Sequence, residues 1–277
     1  MTITHRLSLP ALAVLLIASA VAAVTFGPAD ITPGEVWSVI AHHLGILPES
    51  PVSRLRDAVV WELRLPRVLT ALGVGAGLAL SGAVMQALTR NPLADPYLLG
   101  LSSGAALGAV SFLLLGLTLL MPLGAFFGSL GALALALLIA QLLGGATPSR
   151  AILAGICIAA LASAATSFLI FWSATGDSYR EILSWLMGSL SGSIWSDATL
   201  VYLALSACLP IILANGRALD AFAFGDTAAA SLGIDVPRLR WTLLGATALL
   251  TGIMVAIGGA IGFVGLGTMG EPMALNL

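Results

Sequence analysis

The residues from Gly262 to Leu277 read GFVGLGTMGEPMALNL. Gly265, Gly267 and Gly270 have the G-x-G-x-x-G spacing of a dinucleotide-binding turn, in which glycine lets the backbone approach a pyrophosphate. That chemistry needs a whole strand–helix–strand unit and an acidic residue about 20 positions further on. The sequence stops seven residues after Gly270, so no nucleotide or other cofactor site is expected there. No other catalytic set is visible. Cys157 and Cys208 lie inside apolar runs, where cysteine acts as a small packing residue rather than a disulfide partner. His42 and His43 are expected side by side in a loop and His5 is near the start, and no spacing suits a metal. There is no G-x-x-x-x-G-K-[ST] phosphate loop, and indeed no Lys at all. Catalytic, cofactor and metal sites are therefore all expected to be absent, and any energy-requiring task needs a partner.

What carries the function must then be the elements themselves. Of 277 residues, 59% are hydrophobic and 9% charged, with mean hydropathy +1.05. A soluble domain carries about a quarter charged residues, so this composition is that of an integral membrane protein. The net charge of −2 excludes a basic nucleic-acid surface. A spanning helix needs about 20 mainly apolar residues. Charge-limited runs fall between Arg6 and Asp30, Arg67 and Arg90, Asp95 and Arg150, Arg150 and Asp177, Asp197 and Arg217, and Arg240 and Glu271. The third run holds two spans, with the break expected at Met121-Pro122-Leu123-Gly124. This predicts an all-α polytopic membrane protein of about seven spans. The first run also fits a secretory signal peptide, with Arg6, an apolar core and Ala18-Ser19-Ala20, but its length and the later spans favour a membrane helix. The arginines divide almost evenly between the two sides, so the positive-inside rule decides nothing.

Three polar connections stand out. The segment from Ile31 to Leu65 opens with Thr32-Pro33-Gly34-Glu35, the form of a capping box that starts a short helix through Val36, Trp37 and Ile40. Arg180 to Met187 reads as a short amphipathic helix, and Trp172, Trp185 and Trp195 suit a membrane interface. Asn215 to Arg240 predicts two short helices, Leu219 to Phe224 and Asp226 to Leu232, with Asp226 or Thr227 capping the second and Gly233 stopping it. Small residues recur every fourth position at Gly73, Gly77 and Ser81, and at Gly100, Gly104 and Gly108. Such rows let helix backbones approach closely, so these six are assigned to helix packing.

The stretch from Leu63 to Ala109, LRLPRVLTALGVGAGLALSGAVMQALTRNPLADPYLLGLSSGAALGA, resembles the signature of the FecCD/BtuC-type permeases of bacterial ATP-binding-cassette importers. WLMGSLSG (Trp185 to Gly192), ALDAFAFGDTAAASLGIDVPRLR (Ala218 to Arg240) and GGAIGFVGL (Gly258 to Leu266) resemble later motifs of that family, in the same order. The resemblance implies a ten-helix permease fold with a cytoplasmic N-terminus, in the bacterial inner membrane. It implies import of a metal chelate: a ferric siderophore, haem or cobalamin. The expected partners are a second permease copy or a paired permease, cytoplasmic ATPase subunits that hydrolyse the ATP, and a periplasmic or lipid-anchored substrate-binding protein. Arg64 and Arg67 match arginines that dock carboxylates of the binding protein, a task that suits the forked guanidinium. The coupling segment implies ATPase contacts through Leu219, Phe222, Phe224, Gly225, Asp226, Ala229, Leu232 and Gly233, with the alanines Ala228 to Ala230 permitting close docking.

After Leu266 the chain departs from that family, and Gly262 to Leu277 is similar instead to the N-terminal fingerprint of the 3-hydroxyisobutyrate-type dehydrogenases. The expected organisation is a permease domain over 1–266, incomplete at its C-terminal end, and a non-family tail over 267–277. Beside the importer reading stand two others: a nonfunctional truncated or chimeric permease fragment, and a membrane anchor fused to an NAD-dependent dehydrogenase. The topology is testable directly. Reporter fusions at Thr147 and Gly216 should both report cytoplasm and one at Gly176 periplasm; the opposite pattern would sink the assignment.

Overall fold

A computed structural model of the protein describes residues 3–259, apart from 28, 49–51, 93, 145–147, 174–175 and 223. The fingerprint glycines at 265, 267 and 270 and the boundary at 266 lie outside the described residues. Those residues are helical, with no strand among them. The order is α1 (Ile3–Thr25), α2 (Pro33–His43), α3 (Arg54–Ala58), a π-helical turn (Val59–Arg64), α4 (Leu65–Thr89), α5 (Leu101–Leu114), α6 (Met121–Leu142), α7 (Pro148–Ser173), α8 (Gly176–Met187), α9 (Trp195–Ala214), α10 (Gly216–Phe222), α11 (Asp226–Ser231) and α12 (Val236–Gly258). Short 3-10 turns precede α5 and α6. Five helices are long and apolar enough to cross a membrane: Arg54–Thr89, Met121–Leu142, Ser149–Ser173, Trp195–Ala214 and Val236–Gly258. Pro10–Thr25 and Leu101–Leu114 are shorter apolar helices. Together these occupy the charge-limited runs of the sequence.

The described residues form two compact units, one from 1–72 with 190–199 and the other from 73–189 with residues from 200 on. In the first, Val24, Ile31, Val36, Val39 and Val60 make a buried core. The capping box forms as its residue types demand: the Glu35 carboxylate accepts from the Thr32 N–H at 2.8 Å, and Pro33 takes a first-turn position. Hydrogen bonds from the Thr32 backbone and hydroxyl, and then Arg56, hold the Glu35 carboxyl below its ordinary pKa. His42 and His43 occupy the last turn of α2, not a loop, where the carbonyl end of a helix favours a donor side chain.

The chain from Arg54 to Thr89 is helical throughout, although a polar connection was expected up to Leu65. Pro66 explains the form of the junction. A proline inside a helix lacks an N–H and crowds the preceding turn. The turn just before it is wide, with the Leu65 N–H bonded to the Val60 carbonyl five residues back. The break between α5 and α6 also differs from expectation. It falls at Gly116 (φ +75°) and the Thr118–Leu120 turn, while Met121 to Gly124 begin α6. Pro122 is tolerated there because first-turn N–H groups have no helical partner.

Gly124 serves packing instead. A Cβ built on Gly104 would lie 2.5 Å from the Gly128 carbonyl oxygen, and one on Gly124 would lie 2.6 Å from that of Gly108. Gly108 and Gly128 face equally close backbone. Two G-x-x-x-G rows therefore cross face to face, backbone against backbone. Around this pair α12 is buried along most of its length, including Leu243, Thr247, Leu250, Thr251 and Met254. Cys208 is buried as expected, but Cys157 on α7 is exposed, among the outward-facing Leu153, Ile156 and Leu161. The crossing predicts a contrast. Gly108→Leu should destabilise the detergent-purified protein by about 1–3 kcal/mol through overpacking. Gly131→Ala on α6, with open space at its Cβ, should leave the melting temperature unchanged; equal effects would refute the crossing.

Candidate functional site

The segment after α9 folds as two short helices, with boundaries shifted from those expected. α10 ends at Phe222, so Phe224 stands outside it in the connection. The N-cap of α11 is Gly225, not Asp226 or Thr227. Gly225 has φ +100° and ψ 164°, a conformation that L side chains rarely adopt, and the guanidinium of Arg90, just past the end of α4, lies where a Cβ would project. Gly233 (φ +82°) follows α11 and stops it as expected.

Asp226 is left free of capping because its carboxylate is taken elsewhere. Arg240 Nη2 donates to both of its oxygens, at 2.9 and 2.8 Å. The same guanidinium lies 5.7 Å from the Phe222 ring centroid. Phe222 is buried and Leu219 half-buried, so α10 packs through them. Ala229 is 0% exposed, its methyl packed inside the chain. Ala230 is exposed and Ala228 half-buried. The apolar groups open to a partner are Phe224, 82% exposed, and Leu232, 71% exposed. In the turn before α5, the Asp95 carboxylate accepts from the Tyr97 N–H at 2.7 Å. Burial pushes that carboxyl up and the Tyr97 bond opposes it.

The two arginines assigned to one task differ. Arg64 is 8% exposed, and its guanidinium donates to the carbonyls of Thr25 at 3.2 Å and Ala29 at 3.1 Å. It closes the carbonyl end of α1, as cations do, and is not open to an outside carboxylate in this structure. Arg67 is exposed and donates to the Ser191 carbonyl. Close by in sequence is a group that sequence reasoning missed. His43 Nε2 lies 2.8 Å from Asp57 Oδ2, its ring stacks on Trp61 at 4.0 Å, and the Trp195 indole donates to the Trp61 carbonyl at 3.0 Å. No spacing signals it, because the partners come from α2, α3, the π turn and α9.

The packing row on α4 divides. Gly73 faces Val201 of α9, Gly77 faces Met254 of α12, and Ser81 is fully buried, its hydroxyl without a hydrogen-bond partner among the described residues. Gly100 is not on the face of a helix with Gly104 and Gly108. It sits before α5 with φ +79°, against the Gly155 carbonyl of α7. The WLMGSLSG stretch ends α8 and bonds to the end of α12, where the Ser189 N–H donates to the Gly258 carbonyl at 2.8 Å.

Residues 15–268 match the family described as the FecCD transport family. The chain belongs to that family. Among its relatives are the vitamin B12 import system permease proteins BtuC of Vibrio cholerae serotype O1 and Escherichia coli O127:H6. The first is 39% identical over 237 residues, covering 84% of this chain and 68% of the relative. The second is 41% identical over 234 residues, covering 83% and 70%. A solved metal-chelate type ABC transporter in an inward-facing conformation superposes with a TM-score of 0.79 at 32% identity, over 92% of this chain and 77% of that one. This FecCD chain is thus a permease subunit of an ABC importer and a multi-pass protein of the inner membrane. The relatives are transport permeases, not enzymes.

The arginine geometry of this FecCD permease gives a prediction. Arg64→Gln, which takes the guanidinium from the carbonyls of buried Thr25 and half-buried Ala29, should cost about 1–3 kcal/mol. Arg67→Gln, at an exposed site, should cost under about 1 kcal/mol. Thermal unfolding of the two purified variants side by side checks this, and equal shifts would contradict it.

Proposed function

We propose that the chain forms part of the membrane pathway for a metal chelate, with α10 and α11 as the seat of a cytoplasmic ATPase subunit and Arg67 as a dock for a soluble binding protein. Two permease subunits, two ATPase subunits and one binding protein make up the working assembly. ATP is hydrolysed in the partner, and the chain itself alternates between states of different access. The observation that carries the reading is the pair Phe224 and Leu232. Two large apolar side chains stand exposed on either side of a six-residue helix within Asn215 to Arg240, the longest polar stretch of the second half. Water would select against that exposure, and a cleft in a partner removes it. The carboxylate dock narrows to Arg67, because Arg64 is buried in internal bonds.

For the cargo, the names of the relatives support cobalamin among the metal chelates. Uptake of labelled cobalamin, haem and ferric siderophores by cells expressing the permease with its cognate subunits separates the three.

Phe224→Ser and Leu232→Ser test the seat. Burying a large apolar side chain contributes about 1.5–3 kcal/mol, so each should weaken ATPase co-purification roughly 10- to 150-fold. Membrane insertion should be intact. Co-purification equal to that of the unaltered chain in both variants would place the ATPase contact elsewhere.

A further inference from the structure

The Asp226–Arg240 pair joins two helices that a four-residue connector separates in the chain. Between α11 and α12 run Leu232 to Asp235, with Gly233 at φ +82°. The Leu232, Gly233 and Ile234 N–H groups donate to carbonyls of α11, and the Asp235 carboxylate accepts from the Arg238 N–H of α12, so each half of the connector is tied to its own helix and the chain is unbridged only between Ile234 and Asp235. The guanidinium bridges it from the first turns of α12 to the first residue of α11, donating one nitrogen to both carboxylate oxygens. Its side chain is 12% exposed, against 41% for Asp226, so the cation is held and the carboxylate reaches to it. Arg240 is also placed among several helices. It lies over Phe222 of α10, and it lines a small cavity with Met85 and Leu88 of α4, Ala151 of α7 and Leu244 of α12.

We propose that Arg240 is a positioning residue that makes α11 move as one body with α12, so that displacement of the helix pair by the ATPase reaches the membrane helix through this ion pair rather than through the Gly233 connector. The inference rests on the seat for the ATPase described above. Without the pair, α11 remains attached to the ATPase yet swivels between Ile234 and Asp235, and hydrolysis is no longer converted into movement of α12. Two charge-assisted hydrogen bonds from one guanidinium nitrogen suit this role, since such bonds are stronger than those between neutral groups.

The test uses the full chain in its complex with the cognate ATPase and binding protein, in proteoliposomes. The variants are Asp226→Asn, Arg240→Gln, and the exchanged pair Asp226→Arg with Arg240→Asp. The first measurement is the ratio of substrate transported to ATP hydrolysed. That ratio should fall at least 5-fold in each single variant and recover at least half its value in the exchanged pair. A merely structural role would lower uptake and hydrolysis together and leave the ratio unchanged, which would overturn the proposal. The second measurement needs no ATPase: amide hydrogen exchange over Asp226 to Gly233 in the permease alone. Exchange there should speed up at least 10-fold in Asp226→Asn and not over Ala248 to Val255. Unchanged protection of α11 would overturn the proposal even if the ATPase seat is correct. Loosened α11 in a chain that binds no ATPase would instead overturn the seat, and with it the coupling role of Arg240.

Discussion

In lipid, helices gain nothing from hydrophobicity by packing against one another, because the tails are as apolar as leucine. What the second unit depends on is therefore close approach, and that comes from the crossing of α5 and α6. Four glycines, Gly104 and Gly108 against Gly124 and Gly128, bring backbone carbonyls to within van der Waals reach of the facing chain. No other residue type permits it, since every added Cβ would enter the opposite backbone. The buried alanines Ala105, Ala109 and Ala125 continue the same contact and pack with Val255 and Ala256 of α12.

Charge is scarce in this chain, and each well-placed arginine has a separate physical task. Arg64 is spent inside the fold, on the carbonyls of Thr25 and Ala29. The wide turn before Pro66 belongs to the same local arrangement, and a side chain at Gly27 would collide with the guanidinium. Arg67, three residues on, is exposed. Arg240 is held by Asp226 and lies over Phe222. A buried unpaired cation would be expensive in such surroundings, and the guanidiniums of Arg64 and Arg240 each have oxygen atoms to bind.

Composition, with 9% charged residues in 277, and the charge-limited runs determined the class of protein, because no soluble fold can cover itself with so few charges. The capping box at Thr32 and Glu35 and the stop at Gly233 were legible too, since both are local contacts between residues a few positions apart. The ordered motifs pointed to the FecCD family, and the match over residues 15–268 establishes it. What the sequence could not show are the pairings across long separations. Nothing in a one-dimensional pattern says that Gly124 is a packing residue rather than a turn, that Asp226 answers to Arg240 rather than to its own helix, or that Ala229 is buried while Phe224 is not. Nor does it separate Arg64 from Arg67, which differ only by which side of a helix faces the core. Tertiary structure decided these, because burial and partner choice depend on which helix lies alongside, and spacing within one helix leaves that open.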